Sequence, residues 1–223
     1  MKNLQLKDID PEDIEDLLEK VEDSFDISFS EGEFLPHTTF GEFCDHIAGK
    51  IQGENTTDCS VQQAFYKLRE GIAAISQCDK SIITPHQQFA VLFPEKNRRH
   101  KIKQLENHLG FEMHLLRPPH SVTMFFTIAL LGSLVGLFFV LPLALLGLAF
   151  SLSGFWIIRS TANVLDIQTV GQVAEKITRE HYKDVRRHPA TVNKAEIEKI
   201  LIDWFSVDLN LDKSELTRDA KFN

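Results

Sequence analysis

Between Val122 and Ile158 the sequence contains no Asp, Glu, Lys, Arg or His. Such a run is about twice the ~20 apolar residues that span a bilayer core, and it exceeds what the core of a small soluble domain requires. Cysteine is scarce. Cys44, Cys59 and Cys78 lie in no CxxC or CxH pattern, which excludes a disulfide framework or zinc ribbon and predicts reduced thiols in a cytosolic compartment. The opening "MKNLQLKDIDPEDIEDLLEK" lacks an apolar h-region, so no signal peptide is expected, and the central run must act as its own insertion signal if it enters a membrane. Period-two alternation is also missing, so strands are not expected. No Gly-rich phosphate loop, GxSxG elbow or paired-carboxylate pattern occurs, and the chemistries those motifs serve have no foothold.

The apolar run holds Pro142 in "FFVLPLAL". Proline removes a backbone donor and disfavours helix at the preceding residue, so the run divides at Phe139–Pro142 into Val122–Phe138 and Leu143–Ile158. Each piece is a short span. Basic residues stand on both sides: Lys96, Arg98, Arg99, Lys101, Lys103 and Arg117 before, and Arg159, Lys176, Arg179, Lys183, Arg186 and Arg187 after. Loops retained in the cytosol are rich in Lys and Arg, so matching flanks call for an even number of crossings. A tight helical hairpin satisfies this, with Gly132, Gly136, Gly147 and Gly154 and Ser133, Ser151 and Ser153 allowing close approach. A single tilted span and a buried soluble hairpin are the competing readings.

The flanks carry helix signals. In "DPEDIEDLLEKVEDSF" Asp10 caps, Pro11 takes the first helical position, and Ile14, Leu17, Leu18, Val21 and Phe25 share a face. "DISFSEGEFLPHTTF" has loop composition, and Thr39 caps a helix with Phe40, Phe43, Ile47 and Ile51 apolar. Ser60 and Gln63 have capping-box spacing before a stripe of Val61, Phe65, Leu68 and Ile72. A basic helix from Pro94 to His108 stops at Gly110, and "FEMHLLRPPH" is an extended connector. Beyond the apolar run, Thr169 caps one helix, and "NKAEIEKILIDWFSVDLNL" forms another with Ile197, Ile200, Leu201 and Phe205 apolar. The expected fold is therefore all-α: small helical cytosolic modules flanking a transmembrane hairpin. The expected segments are 1–53, 54–120, 121–160 and 161–223.

The stretch Ile14–Ile47 resembles the second and third helices of the acyl carrier protein family, with Phe25, Ile27, Thr39, Gly41 and Ile47 at matching places. "AEIEKILIDWFSVDLNLDKSELTRDAKF" is similar to that family's first helix and following loop, ending in Leu216, Thr217, Ala220 and Phe222, and "TVGQVAEKI" is similar to its final short helix. These pieces stand in a different order, around the apolar run. The resemblance implies a carrier-like shape and partners that read carriers. It does not extend to the carrier's chemistry, because the place of the phosphopantetheine serine falls on Pro11 and no Asp-Ser-Leu occurs in the chain.

Charge suggests two contact surfaces. Residues 1–35 hold twelve acidic side chains against Lys2, Lys7 and Lys20, and Glu12, Glu15, Glu19 and Glu22 are the candidate face for docking a basic cytosolic protein. "KNRRHKIK" at 96–103 is plainest as a solvated face that enforces topology. Its second reading is anionic-lipid contact through Arg98, Arg99, Lys101 and Lys103, and its third is nucleic-acid phosphate. Neighbouring Cys44, Asp45 and His46 point about 100° apart on a helix and form no nucleophile–base pair. His181 and His188 lack further ligands, so no metal or cofactor is expected. The expectation is a non-catalytic membrane protein of a bacterial cytoplasmic membrane with both termini cytosolic. Its flanks would serve protein interaction linked to acyl-carrier or lipid metabolism. A subunit of a membrane-associated lipid enzyme and a membrane-tethered nucleic-acid regulator are the alternatives.

Overall fold

The computed structural model describes residues 9–30, 33 and 39–222. The expected loop at residues 31, 32 and 34–38, and the first eight residues of the N-terminal stretch, lie outside the described residues. The described chain is mostly helical. It divides into two compact units: one from Met1–Glu70 with Gly171–Asn223, the other Gly71–Val170.

The first unit is assembled from both ends of the sequence. Helix α1 (Pro11–Phe25) starts with the Asp10 carboxylate accepting the Glu12 N–H and with Pro11 in its first turn, which satisfies donors that the helix itself leaves free. Helix α2 (Phe40–Lys50) begins with a full capping box between Thr39 and Glu42. The chain continues through strand β1 (Glu54–Asn55) into α3 (Ser60–Ser76), within which the division between the units falls.

In the second unit come α4 (Phe89–Leu92), α5 (Arg98–Leu109), strand β2 (Leu116–Arg117), α6 (His120–Gly136), α7 (Leu141–Ser160) and β3 (Val164–Leu165). The first unit resumes with α8 (Val170–Glu180), α9 (Tyr182–Val185), β4 (Thr191–Val192) and α10 (Lys194–Asp208).

In the first unit α1, α2 and α10 surround one core. Phe205 of α10 meets Phe40 at 5.2 Å and Phe43 at 5.4 Å, both edge-on, while Phe222 from the C-terminal tail lies 5.5 Å from Phe43. The tail also serves the start of α2. Carbonyls of Ala220 and Arg218 accept the N–H groups of Phe40 and Gly41, each at 2.8 Å. β1 and β4 pair in parallel, Glu54 opposite Thr191.

The second unit has its own core, with Ile83, Phe89, Phe93, Ile102, Leu105 and Met113 nearly or wholly enclosed. Phe89 and Phe93 stack at 4.6 Å. α5 ends at Gly110, whose φ of 91° is the left-handed cap that glycine adopts without strain. It begins later than the sequence suggests, because Glu95–Asn97 forms a 3-10 turn first.

Two details of α3 differ from expectation. Ser60 and Gln63 do not form a capping box with each other. The Ser60 hydroxyl accepts from Arg186, and the Gln63 side-chain oxygen accepts the Arg187 N–H. The buried stripe is Ala64, Leu68 and Ile72, while Val61 and Phe65 are half-buried. The four two-residue strands lacked a sequence signal because two residues carry no period and their partners are distant.

Candidate functional site

In the second unit, α6 and α7 lie against each other as an antiparallel pair joined by residues 137–140. Pro142 sits in the first turn of α7, where its missing N–H costs nothing. Small residues make up much of the interface, and the Phe126 ring packs among them. A Cβ on Gly154 would collide with the Phe126 ring, and one on Gly147 with the Ser133 hydroxyl. Ala144, Ser151 and Gly154 are buried between the helices. The Ser133 and Ser151 hydroxyls donate back to carbonyls of their own helices, both at 2.8 Å.

Most of the large side chains point the other way, with Phe126 and Ile158 as exceptions. Eighteen of the 23 exposed large hydrophobic residues among the described residues fall between Val122 and Ile157, including Phe138 at 88% and Trp156 at 77% exposure. Each such side chain left in water forgoes part of the roughly 1.5–3 kcal/mol that its full burial would contribute. Among the described residues, α7 alone is long and apolar enough by length and composition to cross a membrane, while α6 is a shorter apolar helix.

The two ends of this pair are tied together. β2 and β3 are antiparallel, with Leu116 opposite Leu165 and Arg117 opposite Val164. Arg117 adds an ion pair to Asp166 at 2.6 Å. The chain that enters α6 and the chain that leaves α7 therefore run side by side.

Beside the exit from α7 lies an open cleft of about 550 Å³ lined by Glu95, Lys96, Asn97, Arg99, His100, Lys103, Thr161 and Asn163. Of the basic residues singled out from sequence, Arg99 and Lys103 line it and Arg98 does not. Arg98 Nε donates to the Phe93 carbonyl at 2.9 Å and its Nη1 to the Asn163 carbonyl at 2.7 Å. Lys101 is half-buried outside the lining. Lys103 pairs with Glu112 at 2.9 Å and Glu106 at 3.6 Å. The Glu112 carboxylate raises the Lys103 ammonium and is itself lowered by it.

In the first unit, Glu12, Glu15 and Glu19 are exposed on one face of α1. Glu22 extends that face but is half-buried, and its carboxylate accepts the Phe29 N–H. Lys20, around the helix, reaches Asp208 at 2.6 Å and ties α1 to α10. Past α1, Glu33 accepts from Lys50, Ser30 N–H and His46, which lower its carboxyl to about 2.

Cys44 is enclosed by the core, and burial pushes its thiol up to about 12, helped by the charge of Glu198. A thiol in that state is no nucleophile at neutral pH. No group of three or more His, Cys, Asp or Glu side chains placed to hold a metal ion occurs among the described residues.

Sequence reasoning counted Arg186 as one more flanking cation and missed that it is buried. It is 2% exposed, and its donors reach the hydroxyls of Thr56, Ser60, Tyr182 and Thr191 at 2.6–3.3 Å. A buried guanidinium with all its hydrogen bonds made holds the N-terminal and C-terminal parts of this unit together. No local pattern announces it, because its partners lie up to 130 positions away.

No protein-family model, curated protein or solved structure matches this chain.

Proposed function

We propose that this is a non-catalytic integral membrane protein in which α6 and α7 form a transmembrane hairpin and the helical flanks form a protein-interaction module at the cytosolic membrane surface. The observation that carries the reading is the packing of α6 and α7, with Ala144, Ser151 and Gly154 buried and most of the large apolar side chains, Phe126 and Ile158 excepted, turned outward, at a pair whose two ends are joined by β2 and β3. In water that arrangement is costly, whereas in hydrocarbon it is the ordinary way to pack helices closely. α6 and α7 are about 25 and 30 Å long at 1.5 Å per residue, enough for a hairpin with local bilayer adjustment.

The interaction surface is the acidic face of α1, and its partner is a basic cytosolic protein. Support comes from Glu12, Glu15 and Glu19 lying exposed together on a helix whose last turn carries no basic residue. The acyl-carrier resemblance makes an enzyme that reads carrier proteins the partner class, with docking and not acyl transfer as the shared property. Pro11 stands where a carrier has its serine.

Affinity capture from membranes tests the module. Reversing Glu12, Glu15 and Glu19 to Lys is expected to release the bound basic partner. Retention of every partner by that variant rejects the α1 surface. Glu22 is left unchanged because it also holds the Phe29 backbone.

A further inference from the structure

The basic stretch before α6 has a geometry that its sequence does not disclose. Lys96, Arg99, His100 and Lys103 follow i, i+3, i+4, i+7 spacing, which collects them on one side of the 3-10 turn and α5. They face the cleft next to Thr161, the residue that ends α7. Arg99 and Lys96 are exposed and make no ion pair among the described residues. Glu95 also lines the cleft and offsets one of its charges, and Glu112 draws on Lys103. Lys96 and Arg99 are therefore the cations open to a ligand.

The walls of the cleft are held in place. Arg98 Nη1 donates to the Asn163 carbonyl at 2.7 Å, and Asn163 Nδ2 donates to the Glu95 carbonyl at 3.0 Å. These reciprocal bonds fix the start of α5 to the chain leaving α7. Arg98 is thus a positioning residue, committed to backbone oxygens, and the stripe is presented by neighbours that are not. In the last turns of α7 stand Trp156, 77% exposed, and Arg159. An exposed indole followed by a cation is the arrangement found where a helix leaves hydrocarbon for headgroups.

We propose that this cleft holds the phosphate of an anionic phospholipid headgroup, with Lys96 and Arg99 as its direct contacts and the acyl chains following the outer face of α7. The assignment rests on the membrane reading above. A lipid is the ligand that needs both features at once, a cationic cleft and an adjoining apolar helix surface. A nucleic acid would make no use of the second.

The test uses the full chain in a neutral detergent, titrated separately with phosphatidylglycerol and phosphatidylcholine, with bound lipid counted by native mass spectrometry. Phosphatidylglycerol is expected to bind more tightly. Lys96→Gln and Arg99→Gln should each weaken it about fivefold and together about thirtyfold, from ~1 kcal/mol per basic residue near a membrane surface. Both side chains are exposed, so the variants should keep the wild-type melting profile, and Lys199→Gln in the other unit should bind as the wild type does. Inorganic phosphate, glycerol 3-phosphate and a duplex oligonucleotide should not displace the lipid.

Equal binding of the two lipids, wild-type affinity in the double variant, or displacement by any of those competitors would overturn the proposal. Alkaline extraction of membranes separates the two failures. An inserted chain without anionic preference refutes the cleft alone, whereas a chain released by alkali refutes the membrane reading and the lipid site with it.

Discussion

The core around Phe205 and the interface between α6 and α7 solve the same packing problem with opposite side chains. In the first, Phe40, Phe43, Phe205 and Leu17 are at most 1% exposed, and α1 turns its carboxylates outward. In the second, Ala144, Ser151 and Gly154 occupy the interior with Phe126 and Ile158 as the large exceptions, while Phe138, Leu143 and Leu146 face out. A core in water gains from the area it removes from solvent, so size belongs inside. Helices in hydrocarbon gain nothing from that transfer and associate through close backbone approach. The difference between the regions is the strongest physical argument for two different solvents.

Substitutions sharpen the contrast. Phe205→Ala opens a cavity in the first core and should cost about 3–5 kcal/mol, measured by chemical unfolding in neutral detergent. Arg186→Leu leaves the hydroxyls of Thr56, Ser60, Tyr182 and Thr191 without their donor and should cost about 2–3 kcal/mol by the same measurement. Gly154→Leu forces Phe126 aside and should cost about 1–3 kcal/mol, read as reduced cross-linking between cysteines introduced on α6 and α7.

The Glu33 contacts give a pH signature. Its carboxyl is lowered from 4.5 to about 2 in the fold, so their contribution is complete above pH 4.5 and disappears as pH falls to 2. Acid unfolding of Glu33→Gln should converge with the wild type across that window and differ from it above. The smallest effect belongs to Phe138→Ala, which should change stability in detergent by less than about 0.5 kcal/mol. A loss near that of Phe205→Ala would mean that Phe138 is buried against protein, and the contrast would fail.

What the sequence disclosed was local. Asp10 with Pro11, Thr39, and Gly110 are helix boundaries written within a few residues, and each is found as expected. The apolar faces of α2 and α10 followed from helical spacing, and Pro142 marked the break in the apolar run. Distant partners erased other signals. Ser60 and Gln63 have the spacing of a cap, yet Arg186 and Arg187 claim them. The tail carbonyls that cap α2 come from Arg218 and Ala220, far along the chain.

The basic cleft was half legible. The charges of "KNRRHKIK" were evident, but which of them faces outward depends on the 3-10 turn at Glu95–Asn97 and on Arg98 being drawn to Asn163. Of the residues read as candidate lipid contacts, Arg99 and Lys103 line the cleft, together with Lys96 and His100, which were not so read.

Topology tests the central claim most directly. Reporters fused at Met1, beside Val140 and after Asn223 in membrane-inserted protein distinguish the cytosolic side from the far side. The hairpin predicts cytosolic signals at both ends and a far-side signal at Val140. Opposite signals at Met1 and Asn223, or a cytosolic signal at Val140, would contradict it.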